Sequence, residues 1–331
     1  VTLAEQLAAL RDGAAVAEPG RRALVGVGGR DALDWLDRLS SAPVKDLPAG
    51  CCRGATLMDG KGKLRADLRI IRLAPATGWP DEWLLEIPAS HAPALLRVLD
   101  MFILRDQVEL RDRSASHRFL AVLGPRAAAV MEQSGLPRPE ACDGDGAVAL
   151  DGASGALVLP SRHYGAPGFD LALPAVGLDA LRGRLVAAGA TPIDLETLSV
   201  ARIEAGVPWF AEDLADGVIP LEAGLDAEVS ITKGCYPGQE VVARISNLGQ
   251  VARKLVRLSA EWSGGEPPAL SAGTLTGTGE RAGQEAGKLT SFAHDPTRRR
   301  SVALGFVRRA FWEPGTHVAA GQVELTVGAA R

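Results

Sequence analysis

An α+β protein ending in an all-β unit is what this sequence predicts, on three observations. Through the first 250 residues, stretches with helical spacing of apolar side chains are interspersed with short alternating or continuous apolar runs. Beyond residue 250 the helical spacing stops, and strand-like segments recur between Gly and Pro turns, the texture of a small antiparallel barrel or sandwich. The length, 331 residues, exceeds what one hydrophobic core usually serves, so two or more packing units are expected.

Taken in order, Thr2-Leu3-Ala4-Glu5 is a capping box opening a helix with Leu3, Leu7 and Leu10 on one face and a stop at Gly13. The apolar stretch 23–27 leads through Gly28-Gly29 to a second helix, for which Asp31 is the expected N-cap and Leu33, Leu36 and Leu39 the buried stripe. "LRADLRI", 64–70, alternates as a half-buried strand, and "WLLEI" and "FLAVLG" read as further strands. Helices are expected near 91–102 and 125–134, and from Asp179 to Ala188. Gly144 to Gly155 reads as turns in a second sheet. Thr191-Pro192-Ile193-Asp194 is expected to open a helix with proline in its first position, ending near Gly206. "KLVRLSA", "GTLTG", "GKLTSF", "VALGFVR" and "QVELTVG" supply the terminal strands, with "SGGEPP" an exposed loop among them.

Composition excludes several functions. A formal charge of -4 offers no diffuse attraction to phosphate backbones, and the basic runs 298–300 and 308–309 lack interleaved stacking aromatics, so no direct nucleic-acid partner is expected. No run reaches the roughly 20 apolar residues of a membrane span, and the N-terminus has no signal pattern. Cysteines at 51, 52, 142 and 235 form no CxxC pair and no disulfide framework, which points to a reducing cytoplasm. Five scattered histidines give no metal-ligand spacing, so no metal site built from local sequence is expected, which leaves open only one assembled in space. "GVGGRD" lacks the third glycine of a dinucleotide fingerprint, and neither a Walker loop nor a GxSxG elbow is present.

Three stretches carry chemistry. "MDGKGKLRAD", 58–67, is either a polar hairpin or the route by which Asp67 points from a strand into a cavity, where low dielectric would tune its carboxylate. "RIEAGVPWF", 202–210, delivers Trp209-Phe210 either to packing or to a platform for a flat heterocycle. "TKGCYPGQEVVAR", 232–244, frames Cys235 with a tight turn, a neighbouring cation in Lys233 and the start of a helix, all of which favour thiolate.

The last string resembles the K-G-C-[FY]-x-G-Q-E motif of the YgfZ-type folate-binding proteins of iron–sulfur cluster maintenance, relatives of the glycine-cleavage T-protein. "LDWLDRLSSAPVKDLPAG", "ATLMDGKGKLRADLRI", "FLAVLGPRAA", "ARIEAGVPWFAEDL" and "IPLEAGLD" continue the likeness across the chain. The resemblance implies a three-domain ring, with two intertwined α+β folate-binding subdomains over 1–248 and an antiparallel β-barrel over 249–331. It implies tetrahydrofolate or a derivative as cofactor, and iron–sulfur client or assembly proteins as partners, with effects on cluster-dependent tRNA-modifying enzymes arising indirectly. Lys233, Cys235 and Asp67 would be the chemical residues, and Arg202, Trp209, Tyr236, Gln239 and Glu240 the cofactor-binding ones. The alternative it implies is an aminomethyltransferase moving a one-carbon unit from a lipoyl carrier to tetrahydrofolate. The sequence departs from the T-protein pattern in "RHYGAPGFDL", where Ala166 stands at the position of a pterin-binding Glu.

Overall fold

The structure, a computed structural model, describes residues 1–75, 79, 81–139, 146–214, 217–249 and 251–330. In chain order the elements are α1 (Leu3–Asp12), β1 (Ala15–Ala17), β2 (Arg22–Gly28), α2 (Ala32–Leu39), β3 (Cys51–Met58), β4 (Leu64–Arg72) and β5 (Trp83–Pro88). There follow α3 (Ala92–Met101), β6 (Glu109–Asp112), β7 (His117–Leu123), α4 (Ala127–Gln133), β8 (Gly146–Ala147), β9 (Ala149–Asp151), β10 (Ala156–Pro160) and β11 (Gly168–Pro174). Next come α5 (Leu178–Ala187), β12 (Thr191–Pro192), α6 (Leu195–Glu204) and α7 (Gln239–Leu248). The remainder is β13 (Arg253–Glu261), β14 (Gly273–Gly277), β15 (Glu285–Asp295), β16 (Arg300–Arg308), β17 (His317–Ala320) and β18 (Val323–Ala330).

Two six-stranded sheets share the first part of the chain, in the orders β6-β2-β5-β4-β3-β8 and β12-β1-β7-β11-β10-β9, so the chain passes repeatedly from one to the other. The outer face of the first is covered by α2 and α3 through Trp35, Leu36, Leu95 and Leu99; that of the second by α4 and α5. Their inner faces meet through Leu24, Ile71, Leu84, Phe119, Leu157 and Ala172. The last six strands close into an antiparallel barrel, β13-β16-β15-β14-β17-β18, with Leu258, Leu275, Leu289, Val307 and Leu325 inside. The terminal unit is therefore a barrel and not a sandwich, and β17 is a strand that the sequence reading lacks.

Other local expectations fare unequally. Thr2 and Glu5 form the capping box, and Gly13 ends α1. Asp31 precedes α2, but its side chain caps nothing there; Oδ2 instead accepts from the Gln107 amide at 2.7 Å, tying the helix start to a distant loop. Pro192 lies in β12, opposite Val16, and α6 starts later, with Asp194 accepting from the Thr197 amide at 2.9 Å. Proline suits this edge strand because the missing amide is not needed for the ladder. The run 144–155 carries β8 and β9, its first two residues lying outside the described ones.

β4 holds the most informative difference. The alternation of "LRADLRI" predicts solvent on its charged face, yet Asp67 and Arg69 are 7% and 1% exposed. They share a face with Ile71, which looks into the gap between the sheets, so the charges are enclosed there and must find partners. Cys51 is joined in a disulfide, at variance with the expectation drawn from scattered cysteines, while Cys235 is a free, exposed thiol and the buried Cys52 thiol donates to the Gly146 carbonyl at 3.2 Å. Cys142 lies outside the described residues.

Candidate functional site

A cavity of about 580 Å³ opens between the edges of the two sheets and the start of α6, with Asp67 and His163 on its floor and Arg21, Trp209 and Phe210 on its walls. Asp67 sits mid-strand on β4, and Arg22 opens β2. Arg22 Nη1 donates to Asp67 Oδ2 at 2.8 Å, and its Nε donates to Glu86 Oε1 at 2.9 Å. Glu86 is fully buried on β5 and also accepts from Arg69 Nε. Arg69 reaches across the gap to Asp170 Oδ2 on β11 at 2.7 Å. His163 Nε2 stands 3.0 Å from Glu86 Oε1. Asp67 Oδ1 is buried and has no hydrogen-bond partner.

Burial alone would raise the Asp67 carboxyl, but the Arg22 guanidinium, with smaller help from His163 and Arg162, more than reverses this, and the group is held below its ordinary value. Glu86 is likewise carried well below the usual carboxylate range, burial being outweighed by Arg69 and its neighbours. For Asp170 burial wins over Arg69, and its carboxyl is pushed up to about 6. Burial, then Arg22, pushes His163 down to about 3, so it is neutral at pH 7. An ionised acceptor with a vacant lone pair, enclosed by low dielectric, suits an N–H donor on a bound molecule.

Trp209 reaches this cavity but is only 4% exposed, and the guanidiniums of Arg21 and Arg202 lie 4.3 and 4.4 Å from its ring centroid. The ring is thus already occupied and is no open platform for a heterocycle. Arg202 is not on the cavity wall: it is 1% exposed and donates to Asp213 at 2.5 Å and Glu212 at 2.7 Å. Asp213 in turn accepts from Ser291 of the barrel at 2.6 Å, so Arg202 joins α6 to β15. Ala166 is half-buried against the cluster containing Tyr164 and Trp209. Glu18, exposed, is the other carboxylate on the wall.

The residues of the K-G-C-Y string lie elsewhere; none of Lys233, Cys235, Tyr236, Gln239 and Glu240 lines the cavity. The Lys233 side chain is 6% exposed, with Nζ donating to the carbonyls of Asp37, Ser40 and Ala42 at 2.5, 2.9 and 2.9 Å. It thereby caps the C-terminal end of α2, where a cation meets the negative end of the helix dipole. Burial pushes its ammonium down, Asp37 opposing. The Tyr236 hydroxyl donates to the Ser230 carbonyl at 2.5 Å, and burial pushes it up to about 12. Gln239 Nε2 donates to the Lys233 carbonyl at 2.9 Å. Gly238, at φ 82°, is pressed onto the β3–β4 turn: a Cβ there would stand 2.7 Å from the Asp59 carbonyl oxygen and 2.7 Å from Gly62 Cα. On this braced loop Cys235 is exposed, and Glu240 is exposed in the first turn of α7.

The structure therefore gathers Asp67 and Trp209 at one place, sets Arg202 behind them, and puts the other five predicted residues in a separate loop. Arg22, Glu86, His163, Glu18 and Arg21 escaped the sequence reading. The only available signal was the Arg21-Arg22 pair leading into an apolar strand. Among the described residues no group of three or more His, Cys, Asp or Glu is placed to hold a metal ion, and no helix is long and apolar enough to cross a membrane.

Comparison with known proteins adds three findings. The GCVT N-terminal domain matches residues 2–233. An aminomethyltransferase of Streptomyces coelicolor is 28% identical over 94% of this chain and 83% of its own, and the iron-sulfur cluster assembly factor IBA57 homolog of Mycosarcoma maydis is 29% identical over 77% and 59%. The glycine cleavage system aminomethyltransferase T from Bartonella henselae superposes with TM-score 0.79 at 21% identity, covering 99% of this chain and 88% of that one, a likeness of fold.

Proposed function

The chain belongs to the GCVT N-terminal domain family, and from that premise we propose that it is a tetrahydrofolate-binding accessory protein for iron–sulfur cluster assembly or repair. The observation that carries this reading is the K-G-C-Y loop, in which Lys233, Tyr236 and Gln239 are engaged with backbone carbonyls while the Cys235 thiol is left free and exposed. The likeness to an iron-sulfur cluster assembly factor supports it. A cytoplasmic setting and indirect effects on cluster-dependent tRNA-modifying enzymes belong to the same proposal.

The cavity fits a folate. Its volume lies in the range of small-molecule sites, about 300–1,000 Å³, and Asp67 Oδ1 is a buried acceptor without a donor. Asp67 would take an N–H of the reduced pterin, Arg21 would flank the ring system, and Glu18 would stand in for the carboxylate that Ala166 does not provide. Tetrahydrofolate supplies a carrier for a one-carbon unit when bound; the chain's part is to orient it and keep an ionised carboxylate beside its nitrogens.

Replacing Cys235 by Ser tests the reading. In a strain lacking the gene, the variant is expected to fold and bind tetrahydrofolate as the wild type does while failing to restore cluster-enzyme activity. Full restoration would remove the thiol from the function. The second reading, aminomethyl transfer to tetrahydrofolate, is favoured by the same unpartnered Asp67 oxygen and by the aminomethyltransferase relatives. Ammonia release from an aminomethylated lipoyl carrier, unaffected by Cys235→Ser, would select it.

A further inference from the structure

Arg22 has a part that no sequence motif marks. Its planar fork spans three strands: Nη1 holds Asp67 Oδ2 at 2.8 Å, Nη2 reaches the Asp67 and Glu86 carbonyls at 3.3 and 3.2 Å, and Nε holds Glu86 Oε1 at 2.9 Å. Glu86 is itself fixed from the other side by Arg69, which is engaged with Asp170 and the Pro160 carbonyl. Arg22 is therefore clamped on a rigid base and clamps Asp67 in turn. Asp67 lines the cavity, and with its Oδ2 held by Arg22 its Oδ1 is left buried without a hydrogen-bond partner.

We propose that Arg22 is the positioning residue of this cavity, setting both the orientation and the charge of Asp67 so that Oδ1 accepts a hydrogen bond from an N–H edge of the ligand. The proposal rests on the folate reading only for the identity of that ligand. The groups that act on Asp67 are Arg22 on β2, Glu86 on β5, and Arg162 and His163 in the segment before β11. Burial favours the neutral acid, Glu86 does so too, and Arg22 is the strongest influence in the other direction. Without Arg22 the carboxyl takes up a proton at higher pH and becomes free to rotate. A lysine restores the charge but not the fork, because one ammonium cannot hold Asp67 and Glu86 together in a plane.

The test is equilibrium binding of tetrahydrofolate between pH 5 and 8 to the full chain and to Arg22→Gln, Arg22→Lys and Asp67→Asn, each first shown to be folded by near-ultraviolet circular dichroism. The wild type is expected to bind with affinity nearly constant over this range. Arg22→Gln is expected to bind about tenfold more weakly at pH 7, one lost charge-assisted contact, and to weaken further as acid protonates Asp67. Arg22→Lys should regain the flat pH profile without the full affinity, and Asp67→Asn should be weak and flat. An Arg22→Gln protein with wild-type affinity and profile would overturn the proposal. If the wild type itself does not bind tetrahydrofolate, the folate reading falls, and the role of Arg22 is read from the carbon-13 titration of the Asp67 carboxyl. Its midpoint should rise from wild type to Arg22→Gln and return with Arg22→Lys; equal midpoints would overturn it. Should Arg22→Gln not fold, Arg22→Lys and Asp67→Asn decide: both are expected to bind more weakly than the wild type with a flat profile, and wild-type affinity in either would overturn the proposal.

Discussion

The cavity and the K-G-C-Y loop divide the molecule's charged residues in opposite ways. Around the cavity, Arg22, Asp67, Arg69, Glu86 and Asp170 are withdrawn from water, and two carboxylate oxygens, Asp67 Oδ1 and Asp170 Oδ1, are left without a hydrogen-bond partner. In the loop, Lys233, Tyr236 and Gln239 are engaged with backbone carbonyls, and the Cys235 thiol faces solvent. A buried network makes a group reactive by choosing its surroundings; a braced loop makes one available by holding it out. Most of a distinctive string can therefore serve to shape the chain, while chemistry gathers where no string announces it.

The largest expected effect tests whether the cavity's charges form one unit. Arg69→Met leaves Glu86 and Asp170 both without their shared cation inside the sheet gap. Breaking a buried pair from one side destabilises by about 3–5 kcal/mol, so urea unfolding of Arg69→Met should show a loss in that range. A loss within about 0.5 kcal/mol, the size of an ordinary surface change, would show that the network is solvated and the contrast with the loop is false. The corresponding change in the loop is Lys233→Met, which strips three hydrogen bonds from the end of α2. Since the ammonium is itself partly desolvated, the net loss should be smaller, about 2 kcal/mol. Alkylation of Cys235 at pH 7 should change by no more than about twofold, because the cation is turned to the helix and not to the sulfur. A tenfold slower alkylation with unchanged stability would mean that Lys233 activates the thiol after all.

How much of this was legible beforehand follows the same division. The barrel strands, the capping box at Thr2 and the strand over 64–70 are set by local periodicity and turn chemistry, which a sequence displays. Asp67 was readable as a strand carboxylate, and its destination was one of two open alternatives. That its neighbours Arg22 and Glu86 would meet it depended on the pairing of β2, β5 and β4, which no local pattern fixes. Pro192 misled because proline favours a helix start as readily as an edge strand, and only the parallel partner in β1 decides. The loop erred in the other direction: Lys233 reads as a cation beside a cysteine, but the three carbonyls that claim it come from residues nearly two hundred positions away.

The smallest effect separates the two regions by acid. His163 is held down to about 3 by burial and Arg22, so the unfolded chain takes its proton first, and stability falls as pH drops below about 6.5. Asp170 is held up to about 6 by burial, so the folded chain takes its proton first, and stability rises as pH drops from about 6 toward 4. Between those limits the two oppose each other at the same slope, and their sum is nearly flat. Removing either one exposes the other: Asp170→Asn should make stability fall on acidification, and His163→Gln should make it rise, each by up to about 1.4 kcal/mol per pH unit. Asp67 and Glu86, whose folded values lie below the ordinary carboxylate range, begin to lose their contribution only below about pH 5, so the interval from pH 6 to 5 is clear of them. In the loop Tyr236 is pushed up to about 12, so Tyr236→Phe should leave the acid slope unchanged. Chemical denaturation of the variants at pH 6, 5.5 and 5 reads these slopes. A wild-type slope in both cavity variants would mean that His163 and Asp170 reach water, and that the buried character assigned to the cavity floor belongs to Arg22, Asp67 and Glu86 alone.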